Sequence, residues 1–375
     1  MRSWKGWGMA GQEATSWNLR ARVLGQEEAF AKLDRALAEA RLAHSYLLLG
    51  ARGTGKTRTA IAFAQRLLCP DESSPAFRRV ARLAHPDLHL VFPMSKEDAA
   101  DDERVGQIVE EYAKSSTGML ATSESATIGI DQVRALKERI AMARVEAPLR
   151  VIIWSDAGRL SEAAAQSALK MVEEPPPDTV HILCAEDAAQ ILPTLVSRCQ
   201  RVRIRRLPAD QIAAALERDG AKPAEARIVA SLADGSLWRA AQMRSEDILG
   251  LREQALRLFA TQGASPAAVA QRVESVGRGW NPTLAHRAVD LLLMWHHDLL
   301  WMRQQMPHDG VIHLDRLKQL QSDASIASVD EIRRRAQILE EMAEAVDQRV
   351  NPVLALQVAL SRIARGAEAG EPVFF

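Results

Sequence analysis

Cysteine is scarce in this 375-residue chain, which holds only Cys69, Cys184 and Cys199. Three scattered thiols cannot build a disulfide framework, and no C-x-x-C pair marks a zinc module, so a reducing compartment is expected. Net charge is also missing. Lys plus Arg and Asp plus Glu both number 48, so no global positive field draws the molecule to nucleic acid, and any DNA contact must be local or shared with partners. Apolar runs such as Val289 to Met294 fall far short of the ~20 residues of a membrane span. The first residues, MRSWKGWGMAGQEATSWN, carry charge and glycine in place of the roughly 7–15 apolar residues of a secretory signal. A cytoplasmic protein is expected. No repeat of roughly 20–50 residues points to a solenoid.

What is present fits a soluble globular chain, with 47% hydrophobic and 26% charged residues. The length predicts two or three domains. The first part alternates helical patterns with short apolar runs, as a parallel α/β sheet does. Glu27 to Ala40 places Phe30, Leu33 and Leu37 at helical spacing, Ser45 to Leu49 reads as a strand, and Thr57 to Leu68 reads as a helix. Residues 94–127, containing KEDAADDER, read as a surface insertion, with a helix expected at VGQIVEEYA. Asp131 is the expected N-cap of a helix carrying Val133, Leu136 and Ile140, and Ser161 that of one carrying Ala164, Ala168 and Val172. Further strands are expected at Val151 to Trp154, Val180 to Cys184 and Val202 to Ile204. Beyond Pro208 the β signals vanish. The expected organisation is a nucleotide-binding α/β domain at 1–207, a helical lid at 208–246 and an all-α domain at 247–375.

The sharpest motif is Gly50-Ala51-Arg52-Gly53-Thr54-Gly55-Lys56-Thr57, a full G-x-x-x-x-G-K-[ST] between a strand and a helix. Gly50, Gly53, Thr54 and Gly55 let backbone N–H groups converge on phosphate, Lys56 reaches the terminal phosphates, and Thr57 can ligate Mg²⁺. ATP or ADP with Mg²⁺ is therefore the expected ligand. The buried run ending Ser155-Asp156 supplies a candidate second metal ligand in Asp156. The next residue is Ala157, where a water-polarising carboxylate is usual. Nucleotide binding with weak or absent hydrolysis is the expectation.

These motifs, with VLGQEEAFAKL from residue 23, HPDLH at 85–89, SALKMVEEPPPDT at 167–179 and LPTLVSRCQ at 192–200, resemble the clamp-loader branch of AAA+ proteins. SDAGRLS is similar to the delta-prime pattern within that branch. The resemblance implies a P-loop domain, a lid and a helical collar for oligomerisation. It implies a place in a hetero-pentameric ring with tau/gamma and delta subunits, acting on a sliding clamp and primer-template DNA. It makes Arg198 an arginine finger reaching a neighbour's ATP, and Arg239 in GSLWRAAQM a second nucleotide sensor. It also implies four zinc-binding cysteines before HPDLH. Only Cys69 stands there, so no zinc is expected.

Read without the resemblance, Arg201, Arg203 and Arg205 form the solvated face of a strand. His296 and His297 are adjacent, so they face different directions on a helix and make no two-histidine metal face. Two other functions stay open: an active tau/gamma-type motor subunit, and an unrelated P-loop enzyme such as a small-molecule kinase.

Overall fold

In the computed structural model, five parallel strands form one sheet in the order β2-β3-β4-β1-β5. They are β1 (Ser45–Leu49), β2 (Leu88–Val91), β3 (Arg150–Trp154), β4 (Thr179–Ala185) and β5 (Gln200–Arg203). The described residues are 18–20, 23–114, 126–244, 247–259, 265–277 and 280–365. The opening segment, the middle of the expected insertion and positions 245–246 near the expected lid boundary lie outside them.

Strands β3 and β4 are buried along their whole length. Such fully buried, mainly apolar runs belong to parallel strands covered on both faces. β5 is an edge strand, and its exposed Arg201 and Arg203 flank buried Val202, which is the alternation read from the sequence. The opposite edge is β2, a strand the sequence reading left unassigned. It pairs with β3 from Leu88↔Val151 to Val91↔Trp154.

The helices around this sheet are α1 (Glu27–Ala38), α2 (Lys56–Leu68), α3 (Pro75–Ala81), α4 (Lys96–Ala99), α5 (Asp102–Lys114), α6 (Ile130–Ala141), α7 (Glu162–Glu173) and α8 (Pro193–Ser197). One core joins α1, α2 and α3 to the sheet through Phe30, Leu33, Phe63 and Phe77, among others. A second, on the other face, joins α6, α7 and α8 through Val133, Leu136, Ala168 and Leu195. Ser161 caps α7 as expected, its hydroxyl accepting from Ala164 N. The start of α6 differs from expectation. Its N-cap is Gly129, whose N–H is held by the Gln132 side chain at 2.9 Å, and Asp131 falls within the first turn. A side-chain amide three residues in can satisfy a helix start that lacks a capping hydroxyl.

Beyond β5 the chain is helical: α9 (Ala209–Arg218), α10 (Pro223–Leu232), α11 (Leu237–Met243), α12 (Ile248–Phe259), α13 (Pro266–Gly277), α14 (Pro282–Arg303), α15 (Leu317–Ile326), α16 (Val329–Asp347) and α17 (Pro352–Arg365). The chain divides into two units, residues 1–220 with 233–241, and residues 221–232 with 242–375. The stretch expected as a lid is shared between them, α9 in the first and α10 in the second.

The second unit packs α12, α13, α14, α16 and α17 around Leu258, Val289, Leu339 and Leu356. On α14, His296 is buried and its Nδ1 meets the Leu292 carbonyl at 2.7 Å. His297 is half-exposed against the Trp301 ring, so the two adjacent histidines diverge. Asp298 is fully buried and accepts from Ile312 N, His313 N and His313 Nδ1, fastening the loop after α14 to the helix. No helix among the described residues is long and apolar enough to cross a membrane.

Candidate nucleotide site

Strand β1 ends at Leu49 and α2 begins at Lys56, so residues 50–55 form the turn between the sheet's carboxyl edge and a helix N-terminus. In open α/β sheets ligands bind outside this edge, where neighbouring strands are connected in opposite directions. Here β1 lies between β4 and β5, each reached by a crossover. Gly50 N is held by the Ala185 carbonyl of β4 at 3.2 Å.

Two glycines show what the loop requires. Gly53 adopts φ +76, and a Cβ there would lie 2.1 Å from Ser236 Oγ, so the loop is seated directly on the segment that starts α11. Gly55 adopts φ +93 with nothing within 4 Å of the Cβ position. Its need is conformational, since L side chains avoid that region, and its outer side faces open space. That space lies at the N-terminus of α2, where unpaired N–H groups and the helix dipole attract anions.

Lys56 Nζ donates to the carbonyls of Gly50 and Ala51 at 2.7 and 2.9 Å. Burial lowers the ammonium pKa, against the opposing pull of Cys184, Glu186 and Asp156. The Thr54 hydroxyl closes the loop on Ala51 O at 2.8 Å. Gln26 braces it from outside: Nε2 donates to Arg205 O at 2.8 Å and Thr54 O at 3.4 Å, while Oε1 accepts from Arg205 N at 3.0 Å. The VLGQ motif is thus a tie between α1, the end of β5 and the phosphate loop.

At the end of β3 the sequence reading singled out Asp156. That residue has left-handed backbone angles, φ 60 and ψ 52, and its carboxylate lies 3.7 Å from Arg159. The residue that meets Thr57 is Ser155, hydroxyl to hydroxyl at 2.8 Å. Ser155 N is still held by Val91 O, so the strand's pairing runs one residue past its apolar run before the chain turns. Sequence inspection passed over Ser155 because an acidic residue stood beside it. Cys184, next to the end of β4, completes this corner: Thr57 hydrogen-bonds to it, and burial pushes its thiol up to about 12. Among the described residues no group of three or more His, Cys, Asp or Glu side chains could hold a metal by itself. The phosphate cradle fits a nucleotide, and the hydroxyls of Thr57 and Ser155 fit a cation already carried by phosphates.

Ser236 and Trp238 also escaped the sequence reading. Ser236 is buried, accepts from Arg239 N at 3.1 Å and supports Gly53, while the Arg52 guanidinium lies 5.3 Å from the Trp238 ring centre. Arg239 itself is exposed.

Arg198 caps the end of α8. Its guanidinium pairs with Glu173 at 2.8 Å and donates to Thr194 O at 3.2 Å, and its side chain remains 44% exposed. Because Gln200 pairs with Tyr46 and Arg203 with Leu49, Arg198 precedes the start of β5 while the phosphate loop follows the end of β1. At about 3.3 Å per residue, the two lie toward opposite edges of the sheet, on the order of 10 Å or more apart.

HPDLH has a structural task. Asp87 is buried and accepts from Val145 N, Glu146 N and Ala147 N at 2.8, 2.9 and 2.9 Å. Burial raises its pKa, but the three N–H groups outweigh that and hold the carboxyl below its ordinary value. His85 Nδ1 accepts from Asp87 N, and its Nε2 lies 3.1 Å from Glu146. Cys69 is buried at the end of α2, where burial raises its thiol pKa.

Residues 25–208 match the family model described as DNA polymerase III, delta subunit. The DNA polymerase III subunit delta' of Bacillus subtilis is 27% identical over 233 residues, covering 60% of this chain and 62% of that protein. Subunit tau of the same organism is 27% identical over 240 residues, covering 62% of this chain and 37% of tau. Subunit delta' of Haemophilus influenzae is 29% identical over 163 residues, covering 42% and 41%. The chain thus spans less than two-thirds of the length of each of these relatives.

Proposed function

Since the chain belongs to the DNA polymerase III clamp-loader family, with residues 25–208 matching its delta-subunit model, we propose that it is a delta-prime-type subunit. In this reading it holds adenine nucleotide, turns it over slowly by itself, and lends Arg198 to a neighbour's nucleotide. Its partners are tau/gamma and delta subunits in a pentameric ring that places a sliding clamp on primed DNA. The observation that carries the reading is a complete phosphate loop facing a strand end where Ser155, and no carboxylate, meets Thr57.

Mg²⁺-ATP supplies the phosphoryl bond and most of the charge at such a site. The N–H groups of residues 53–57 and the Lys56 ammonium bind and orient the phosphates. Thr57 and Ser155 offer neutral hydroxyls to the cation, and Asp156 supplies the nearby carboxylate once it leaves Arg159. With Ala157 next in sequence, no side chain there can take a proton from an attacking water. Slow turnover follows, because phosphoryl transfer depends on positioning that water. Arg239 is the candidate to reach the phosphates from α11.

Equilibrium binding of labelled ATP, together with phosphate release by the chain alone, tests the reading. Measurable binding with turnover far below that of the assembled loader is expected, and Lys56→Ala should weaken binding by about a hundredfold, the scale of a charge-assisted contact to phosphate. Absence of binding rejects the reading. Robust turnover by the chain alone selects the second reading, a motor subunit, which the match to tau favours. Arg198→Ala should leave the chain folded with its own affinity intact while lowering the loader's ATPase. An unchanged loading rate removes Arg198 from the mechanism.

A further inference from the structure

The second unit holds a cleft that the nucleotide reading does not use. It measures about 280 Å³ and lies where α14, α15 and α16 meet α12 and α17. Leu292, Leu299 and Ile363, all buried, make an apolar wall together with the ring of Trp295. Ile326 also lines the cleft and is 71% exposed, so the cleft opens to solvent beside that residue.

The wall includes His296, which is only 4% exposed. Its Nδ1 meets the Leu292 carbonyl at 2.7 Å, and a carbonyl only accepts, so Nδ1 carries the ring's proton and Nε2 presents a lone pair. Burial pushes the ring's pKa down to about 4, which keeps it in that neutral form near neutral pH. Nε2 makes no hydrogen bond among the described residues, yet it differs from the Nε2 atoms of His181 and His313, which are sealed from solvent as well as unpartnered. The acceptor of His296 is therefore reachable from the cleft. Leaving such an acceptor dry would weaken binding of any guest that did not donate to it.

Two charged residues face the same space, Asp323 of α15 and Arg335 of α16, whose guanidinium is paired with Glu331. An ion of either sign would lose its water beside one like charge, so the lining favours a neutral guest.

We propose that this cleft binds a small neutral aromatic molecule carrying one N–H or O–H, its ring against Trp295 and the apolar wall and its donor on His296 Nε2. The size suits one or two rings, since a cavity of about 150 Å³ takes benzene and pockets for larger ligands start near 300 Å³. The site belongs to the helical unit alone and owes nothing to the phosphate loop.

Indole and benzofuran separate the donor from the ring, because benzofuran keeps the shape and replaces the N–H with an oxygen. Dissociation constants from ligand-observed saturation transfer on the full-length chain should favour indole by about fivefold, the scale of one neutral hydrogen bond. In protein labelled with nitrogen-15 histidine, indole should move the His296 Nε2 resonance, which is assigned by its loss in His296→Gln. His296→Phe keeps a ring in the wall and should erase the preference for indole. His296→Gln, whose amide oxygen still accepts, should restore part of it. Equal affinity for the two probes, an unmoved Nε2 resonance, or a preference that survives in His296→Phe overturns the proposal. If His296→Phe does not fold, the two probes and the Nε2 shift on the unaltered chain decide the matter.

Discussion

The amino and carboxyl edges of the sheet use their polar side chains in opposite ways. At the amino edge, Asp87 gives its carboxylate to three backbone N–H groups of residues 145–147. Nearby, Arg150 places its guanidinium on the carbonyls of Ile140 and Met142 at the end of α6. Those groups are consumed by the fold. At the carboxyl edge, Gly55 faces open space and Lys56 donates to the loop carbonyls of Gly50 and Ala51. Polar residues that resemble family motifs therefore divide by where their hydrogen bonds go. HPDLH is a clamp on a loop, and the P-loop is the candidate site.

The largest effect that would break this distinction is at Asp87. Asp87→Ala leaves three N–H groups without their acceptor and should cost roughly 3 kcal/mol or more of folding stability, read by denaturant unfolding. The ATP affinity of the folded fraction should not change. A variant of full stability with lost affinity would reverse the assignment of the two edges.

Acid should act next, through buried histidine. His181 lies in the fully buried β4, accepts from Trp154 Nε1 at 3.2 Å, and burial pushes its pKa down to about 4. The folded state therefore favours the neutral ring. Its contribution is present above the ordinary value near 6.5 and is lost as pH falls toward 4, up to roughly 3 kcal/mol by linkage. Asp87 has a depressed pKa, so its own contribution persists until pH falls below the ordinary carboxylate range. Unfolding measured at steps from pH 7 to 4 should show a decline that becomes shallower in His181→Gln, the remainder carried by His89 and His296, which burial also pushes down to about 4. An unchanged slope in that variant would move the titration elsewhere.

The smallest effect sharpens the carboxyl edge alone. Ser155→Asp sets a carboxylate against the Thr57 hydroxyl and should raise Mg²⁺-dependent ATP affinity by about fivefold, within the range of one charge-assisted contact. Asp156→Asn should change it less, because that carboxylate is engaged by Arg159. Titrations with and without Mg²⁺ read both, and the reverse ranking would restore Asp156 as the principal metal contact.

Much of this edge was legible in the sequence because local rules suffice there. The phosphate loop follows from glycine and lysine spacing, α7 from Ser161 and its apolar stripe, and the α5 helix from VGQIVEEYA. What stayed hidden depends on partners distant in the chain. β2 is four residues long with His89 in its middle, and only its pairing with β3 makes it a strand. The choice between Ser155 and Asp156 rests on one hydrogen bond to Val91 that extends β3 past Trp154. Tyr112 reads as one face of an amphipathic surface helix, and only the fold makes it part of the core that contains Ile61 and Phe63 of α2. Ser236 and Trp238 enter the site only because Gly53 leaves room for them.

The margin of the sheet at β5 has a consequence for handling the purified chain. An unpaired strand edge is a template on which further copies can stack. β5 blunts that tendency with a length of four residues, the exposed Arg201 and Arg203, the Lys32 ammonium seated on the Arg201 carbonyl, and the Gln26 amide occupying both backbone groups of Arg205. Part of this protection is mutual repulsion between like-charged edges, which salt screens over about 8–10 Å. The isolated chain is accordingly expected to form aggregates more readily in concentrated salt than in dilute buffer. Light scattering across a salt series would register it, and a flat response would assign the protection to the Lys32 and Gln26 caps alone.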